Sequence, residues 1–329
     1  MPTRLELLTI LSDGNFHSGD ELGVALGVGR SAIWRHVQTL RGYGLDIYAV
    51  TGRGYRLKSP LELLCESRIA DALPDSVRPF IADIDVHREL ESTNTYLMRA
   101  AAQALPGGSV CLAEYQSAGR GRQGRRWVSS FGSNLCFSLV WRFNCGPDAL
   151  SGLSLAVAVG LAQGLSSLGL ARPGLKWPND LYIGGRKLAG ILLEMSGESS
   201  GVSRVVVGVG VNLRAPSDID ESIDRPRVAL DELLPEPVSR NRAAAALIGS
   251  IVEALAKFEK EGFAPFLPQW QEWDVMADRR VTLQQAQGVI EGVARGVDTS
   301  GALLIERRGE TCRYMSGDVT LLREVLAPL

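Results

Sequence analysis

Histidine and paired cysteine are nearly absent from this chain. It has three scattered histidines and five cysteines (Cys65, Cys111, Cys136, Cys145 and Cys312), with no CxxC pair. That spacing assembles no zinc site. An odd set of scattered thiols gives no disulfide framework, so a cytoplasmic protein with reduced cysteines is expected. The first residues lack the basic-then-apolar pattern of a signal peptide. No apolar run reads as long enough to span a bilayer, so no membrane is expected as a partner. Net charge is only -2, so any hold on polyanions must come from local patches. Core is plentiful, with 45% of the 329 residues hydrophobic. Two or three domains are expected at ~100–200 residues each.

One absence is local. No acidic residue lies between Glu114 and Asp148, and within that gap Gly119 to Trp127 reads GRGRQGRRW. Arg120, Arg122, Arg125 and Arg126 are set among Gly119, Gly121 and Gly124. Glycine lets a backbone come close to a ligand. Arginine supplies a planar fork of donors matched to phosphate and carboxylate. Such a loop, with like charges and little to bury, is expected to be poorly ordered until an anion gathers it. Trp127 offers a flat ring able to stack on a base or sugar. The same residues would also suit a nucleic-acid patch or an inert basic surface loop. Leu135 to Trp141 then reads as a buried strand.

The first sixty residues read as a winged helix-turn-helix. Ser18 and Glu21 form a capping-box pattern ahead of a short helix that ends near Gly27. A second helix opens at Gly29-Arg30-Ser31 and runs to Arg41, with Ile33, Val37 and Leu40 inward. Arg30, Ser31, Arg35 and Gln38 point outward, with Trp34 at the border. Asp46 to Leu57 alternates like a hairpin, with Arg53 between Gly52 and Gly54 at its tip. Six basic residues and one acidic residue between Val28 and Lys58 put a positive excess on one face. Groove and phosphate contact with DNA is the favoured use, and a protein-contact module is the alternative. Leu61 to Pro79 reads as a linker helix.

The central stretch alternates strands and helices. Ser92, Thr93 and Asn94 stand at a strand-to-helix junction, where helix capping alone would account for them; the helix is expected over Tyr96 to Ala104. Gln116 leaves the strand that delivers the arginine loop. Leu150 to Leu168 is a buried helix. Lys176, Asn179 and Asp180 follow a strand, and a plain Pro-Asn-Asp turn is the bland alternative. Lys187 opens another strand, a place where a lysine is usually just solvated. Val205 to Leu213, VVVGVGVNL, carries Gly208 and Gly210 where a ligand could lie flat against a sheet, and Asn212 ends it. From Met276 onward short alternating strands suggest a small β-barrel.

Taken in order, ESTN at 91–94, GRGRQGRRW at 119–127, KWPND at 176–180, KLAG at 187–190, GVGVN at 208–212 and SGDV at 316–319 resemble the biotin–protein ligases. The winged module resembles that of the bifunctional members, which also repress biotin biosynthesis. The resemblance covers the whole chain. It implies an α+β multidomain fold: a winged helix-turn-helix (residues 1–60), a class II aminoacyl-tRNA synthetase-like ligase domain (61–275, with a linker helix at 61–80) and an SH3-like barrel (276–329).

It also implies the chemistry. Biotin and ATP would give biotinyl-5′-AMP, with Mg2+ on the nucleotide phosphates. The acyl group would then pass to a lysine of the biotin carboxyl carrier domain of acetyl-CoA carboxylase or a related carboxylase. Lys187, Arg120 and Arg122 would carry catalysis. Ser92, Thr93, Asn94, Gln116, Arg120, Gly121, Arg122, Lys187, Gly208 and Gly210 would hold biotin. Arg122, Arg125, Trp127, Lys176, Asn179, Asp180 and Asn212 would hold ATP and the adenylate, with Asp180 near the metal. Arg30, Ser31, Trp34, Arg35, Gln38 and Arg53 would touch operator DNA, read by a homodimer that forms when adenylate is bound. Gln123 departs from the arginine of some repressor-type members, which bears on loop charge and dimer contact. A lipoate-type ligase, or a biotin-sensing transcription factor without ligase activity, are the alternatives.

Overall fold

A computed structural model describes residues 2–101, 105–197, 201–215 and 226–322. Helices α1 (Pro2–Leu11), α2 (Gly19–Leu26) and α3 (Arg30–Gly42) form the N-terminal bundle. Ser18 Oγ accepts from Glu21 N at 3.1 Å, while Glu21 returns a carboxylate to Ser18 N at 2.9 Å, so the capping box expected for α2 forms. Strands β1 (Ile47–Val50) and β2 (Gly54–Leu57) pair as the wing. The wing is sewn to the α1–α2 connection by Tyr55 N to His17 O at 2.8 Å and its return bond. A Cβ on Gly54 would lie 2.0 Å from His17 O, so only glycine permits that approach.

The expected linker helix is only partly helical. Leu61 to Leu64 lie outside any helix, and α4 spans Glu66–Ala72. The cause is a buried ion pair that takes backbone partners out of helical bonding. Arg240 and Glu114 meet at 2.6 Å with side chains 1% and 0% exposed. Glu114 Oε1 also accepts from Leu64 N at 2.6 Å and from Arg88 at 3.2 Å, and Arg240 reaches Glu62 O at 2.8 Å. A charge pair this deep survives only because most of its remaining lone pairs and protons are bonded; Arg240 Nε is buried without a partner.

The central sheet has seven strands in the order β3-β4-β5-β9-β8-β7-β6. They are β3 (Asp83–His87), β4 (Ser109–Ala113), β5 (Asn134–Phe143), β6 (Gly174–Lys176), β7 (Asp180–Ile183), β8 (Arg186–Gly197) and β9 (Ser203–Asn212). β3 and β4 are parallel and joined through helix α5 (Thr93–Ala101); every other neighbouring pair is antiparallel. α5 starts three residues before the expected Tyr96, because Ser92 caps it: Thr95 N reaches Ser92 Oγ at 3.4 Å. The expected end, 102–104, lies outside the described residues.

Helices α6 (Leu153–Ser167) and α7 (Arg240–Glu261) cover one face of the sheet, packing on Leu135, Phe137, Leu139 and the odd-numbered valines of β9. Gly160 and Gly164 let α7 come close: added Cβ atoms would lie 2.7 Å from Ala254 Cβ and 2.3 Å from Ser250 Oγ. One expectation fails here. Pro147–Ser167 is long and apolar enough to cross a membrane by length and composition. Its lipophilic surface is instead spent on α7 and the sheet, with 67% of the apolar window buried.

Helix α8 (Leu267–Trp273) leads to a five-stranded antiparallel sheet, ordered β13-β12-β11-β10-β14. Its strands are β10 (Arg280–Gln285), β11 (Gly288–Val297), β12 (Leu303–Arg307), β13 (Glu310–Tyr314) and β14 (Asp318–Leu321). Val281, Leu283, Ala294, Ile305 and Val319 join the same core as the central sheet. Trp177 Nε1 donates across the junction to Gly301 O at 3.1 Å. All five cysteines are free thiols.

Replacing Glu114 by Gln leaves Arg240 buried without its counter-charge. The expected loss is about 3 kcal/mol or more, read as a lower urea midpoint; an unchanged midpoint at unchanged slope would show that the pair does not hold the linker down.

Candidate active site

The site grows from strand alternation. On β9, odd-numbered valines enter the helix-covered core, so Val206, Gly208, Gly210 and Asn212 face the other way, toward α5. Register then makes rows across three strands. Cys136, Gly210 and Gly190 form one, Ser138, Gly208 and Leu192 the next, and Val140, Val206 and Glu194 the third. The glycines leave a hollow, though not quite for the reason expected. A Cβ on Gly208 would lie 1.9 Å from Asn94 Oδ1, and one on Gly210 would lie 2.5 Å from Trp127 Cε2. The space is taken by Asn94 and Trp127, and they form the walls.

The first turn of α5 supplies one wall. Thr93 N donates to Gln116 Oε1 at 2.8 Å, Ser138 Oγ lies 2.7 Å from Thr93 Oγ1, and Asn94 accepts from Ser138 at 2.6 Å. Ser92 both caps the helix and lines the cavity. Capping and lining are therefore compatible uses of the same short side chains.

The arginine loop supplies the roof, and it is tied down. Arg120 binds Glu194 at 2.5 Å, Arg122 reaches Asn179 Oδ1 at 3.3 Å and Gly317 O at 3.4 Å, and Arg125 pairs with Asp318. Backbone bonds Gly121 N to Arg125 O (2.7 Å) and Trp127 N to Gly119 O (2.8 Å) close the loop on itself. The expectation of an unanchored, self-repelling loop is corrected. The carboxylates missing locally arrive from β8 and from the C-terminal sheet.

Lys176 ends β6 and Asp180 begins β7, joined by a tight turn with a cis Trp177–Pro178 bond. Lys187 Nζ meets Asp180 Oδ1 at 2.7 Å and lies 5.7 Å from the Trp127 ring centroid. Arg122 differs from Arg120 and Arg125. Among the described residues no carboxylate lies within bonding distance of it. Burial pushes its guanidinium below the usual value; the fields of Asp180 and Asp318 oppose this, and Arg125 adds to it. An anion entering the cavity would relieve that cost. Burial also pushes the Cys136 thiol up to about 12, so it stays an inert wall group.

Every residue expected to meet biotin or the nucleotide lines this one cavity of about 680 Å³. Asn212 lines it with a side chain already in use. Its amide nitrogen donates to Lys187 O (3.1 Å) and Val228 O (3.3 Å), and its oxygen accepts from Asn134 (2.9 Å). The structure adds Gly317 and Asp318 to the lining and places Glu194 and Ser138 behind it as partners of Arg120, Thr93 and Asn94. The SGDV segment was a visible signal for Gly317 and Asp318; nothing local marks Glu194 as the partner of an arginine 74 residues away. For magnesium the fit is lean: among the described residues no group of three or more His, Cys, Asp or Glu side chains gathers. One carboxylate, Asp180, suits a cation that keeps its waters and binds mainly through nucleotide phosphates.

The winged module presents a separate surface. Arg30, Ser31, Trp34, Arg35 and Arg53 are exposed and Gln38 is half-buried. Arg53 lies 4.3 Å from the Phe16 ring centroid. The positive excess is smaller than counted from sequence, because Arg30 pairs with Asp20, which lies outside the counted stretch; Arg41 donates to Ile47 O at 2.6 Å and Lys58 sits 3.4 Å from Asp46. Among the described residues Arg35 and Arg53 have no carboxylate partner.

Residues 86–212 match the biotin/lipoate A/B protein ligase family, residues 3–56 an HTH domain, and residues 278–322 the biotin protein ligase C-terminal domain. The chain is 42% identical over 317 residues to the bifunctional ligase/repressor BirA of Salmonella typhimurium, across 96% of this chain and 97% of that protein. This chain belongs to the biotin–protein ligases of the bifunctional ligase/repressor type. Its identity to the BirA of Escherichia coli is 41%, over 96% of both chains. The biotin protein ligase from Aquifex aeolicus, solved in complex with biotin and ATP, superposes with a TM-score of 0.64 at 26% identity, covering 74% of this chain and 100% of that one.

Asp318 ties Arg125 to the C-terminal sheet, so Asp318→Ala frees that end of the loop. Trypsin, which cuts after the loop's own arginines, is expected to cleave between residues 120 and 126 several-fold faster, with the thermal midpoint little changed. Cleavage at the wild-type rate would show that the loop is held by its backbone bonds alone.

Proposed function

We propose that this cavity joins biotin to ATP and that the bound product also governs the winged module. The observation that carries it is the meeting of Lys187, Arg120, Arg122 and Arg125 over a glycine-floored hollow walled by Asn94 and Trp127. A carboxylate oxygen of biotin attacks the α-phosphorus of ATP; the bond to the β-phosphate bridging oxygen breaks and pyrophosphate leaves. Both reactants are anions, so their approach is opposed until cations flank them. Lys187, at the start of β8, and Arg122, half-buried and without a carboxylate partner among the described residues, hold the two in line. Asp180 would stand beside a magnesium ion, which would offset charge on the phosphates. Trp127 offers its face to adenine. Ser92, Thr93, Asn94, Gln116 and Arg120 receive the neutral ureido ring.

The product is a mixed anhydride, and the roofed cavity keeps water from it. The lysine amine of a biotin carboxyl carrier domain then attacks the acyl carbon, and AMP leaves. We read the largely antiparallel central sheet as related to class II aminoacyl-tRNA synthetases, which likewise activate a carboxylate as an adenylate, and the C-terminal strands as an SH3-like barrel. Residues 1–60, 61–275 and 276–329 are the corresponding domains. For regulation we infer a homodimer through the free side of β8. Its pairing with β7 stops at Gly190, and Met195 beyond it is 50% exposed. A two-fold dimer would present two winged modules to the half-sites of a palindrome.

Lys187→Ala removes a charge-assisted partner worth ~1.5–3 kcal/mol. Pyrophosphate release from biotin and ATP, and streptavidin-detected labelling of a carrier domain, are expected to fall roughly ten- to a hundredfold in a folded protein. Undiminished pyrophosphate release would remove Lys187 from the chemistry.

A further inference from the structure

Glu194 has a place in this site that its family motif does not assign. It sits on β8 in the row beyond Leu192, on the α5 side of the sheet. Its two oxygens take Arg120 Nη2 at 2.5 and 2.6 Å, and Oε2 also takes Asn94 Nδ2 at 2.9 Å. Asn94 is thereby fixed at both ends. Its nitrogen also donates to Leu192 O at 3.2 Å, and its oxygen accepts from Ser138 at 2.6 Å. Two acceptors on one side and a hydroxyl on the other leave one orientation for the amide. The backbone at Gly208 closes the space behind it.

The cations of the cavity are thus unequal. Arg120 is neutralised by Glu194, while its Nε and Nη1 carry no partner among the described residues. Among the described residues no carboxylate in bonding distance neutralises Arg122. A neutralised guanidinium keeps its directional donors and loses most of its attraction for anions. An un-neutralised one draws phosphate and carboxylate. We propose that Glu194 is a positioning residue that gives the cavity its polarity. It reserves Arg120 and Asn94 for the neutral head of biotin and leaves the anionic end to Arg122, beside a Lys187 that Asp180 already answers. Without it, a second bare cation would stand at the head end, and anions would compete there with biotin. This rests on the biotin reading above.

The test is Glu194→Gln, which keeps the side chain's size and removes its charge. Calorimetry without ATP is expected to show biotin binding weakened about tenfold or more. Biotinol, which lacks the carboxylate, should weaken by the same factor, because the head is what is affected. The KM for ATP and kcat at saturating biotin should stay within about threefold of wild type. Inorganic sulfate should compete with biotin in the variant and not in wild type, and Glu194→Gln combined with Arg120→Gln should abolish that competition. A merely structural role would move none of the sulfate readouts. The proposal is overturned by biotin affinity within twofold of wild type, or by weakened binding without sulfate competition. Wild-type protein that binds no biotin would instead overturn the functional reading itself.

Discussion

Cations gathered in a half-buried cavity repel one another unless carboxylates offset them, and this chain draws most of those carboxylates from far apart. Asp180 comes from β7, Glu194 from the far part of β8 and Asp318 from the C-terminal sheet, where it meets an arginine 193 residues earlier in the chain. The arginine loop is therefore a junction between the central and C-terminal sheets. Arg122, which meets only Asn179 and a backbone carbonyl, is where an incoming anion gains most.

The loop's two feet rest on the winged module. Tyr43, at the end of α3, lies 4.7 Å from the Tyr115 ring and 6.3 Å from the Phe131 ring, so residues just before and just after the loop share one contact. Phe131 N donates to Tyr43 O at 2.9 Å, and Tyr43 Oη donates to Glu89 at 2.8 Å, three residues before Ser92. The buried Glu114–Arg240 pair stands immediately behind Tyr115. A contiguous set of packed side chains joins the cavity rim to α3, the helix that carries Arg35 and Gln38.

Much of this was legible in the sequence for identifiable reasons. GVGVN at 208–212 encodes two faces by strict alternation, valine to the core and glycine to the site. The capping box at Ser18, the apolar spacing of Ile33, Val37 and Leu40, and the uninterrupted pattern from Arg240 to Glu261 report local periodicities that tertiary contacts reinforce. What was not legible depends on partners distant in sequence. The partial unwinding of 61–79 follows from Glu114 and Arg240. The loop's order follows from Glu194 and Asp318, and the lost positive charge of the wing face from Asp20. The purpose of Gly208 and Gly210 could not be read because the side chains filling their space, Asn94 and Trp127, lie some eighty or more residues away.

The central claim is that one bound adenylate serves both the ligase chemistry and the DNA-binding module. By linkage, a ligand that favours the dimer must tighten operator binding, and operator must tighten adenylate retention. Operator affinity at fixed salt, with and without biotin plus ATP, together with sedimentation of the same samples, tests this most directly. The expected result is a shift to dimer with tighter operator binding when both substrates are present. Equal operator affinity and equal mass in the two states would contradict it.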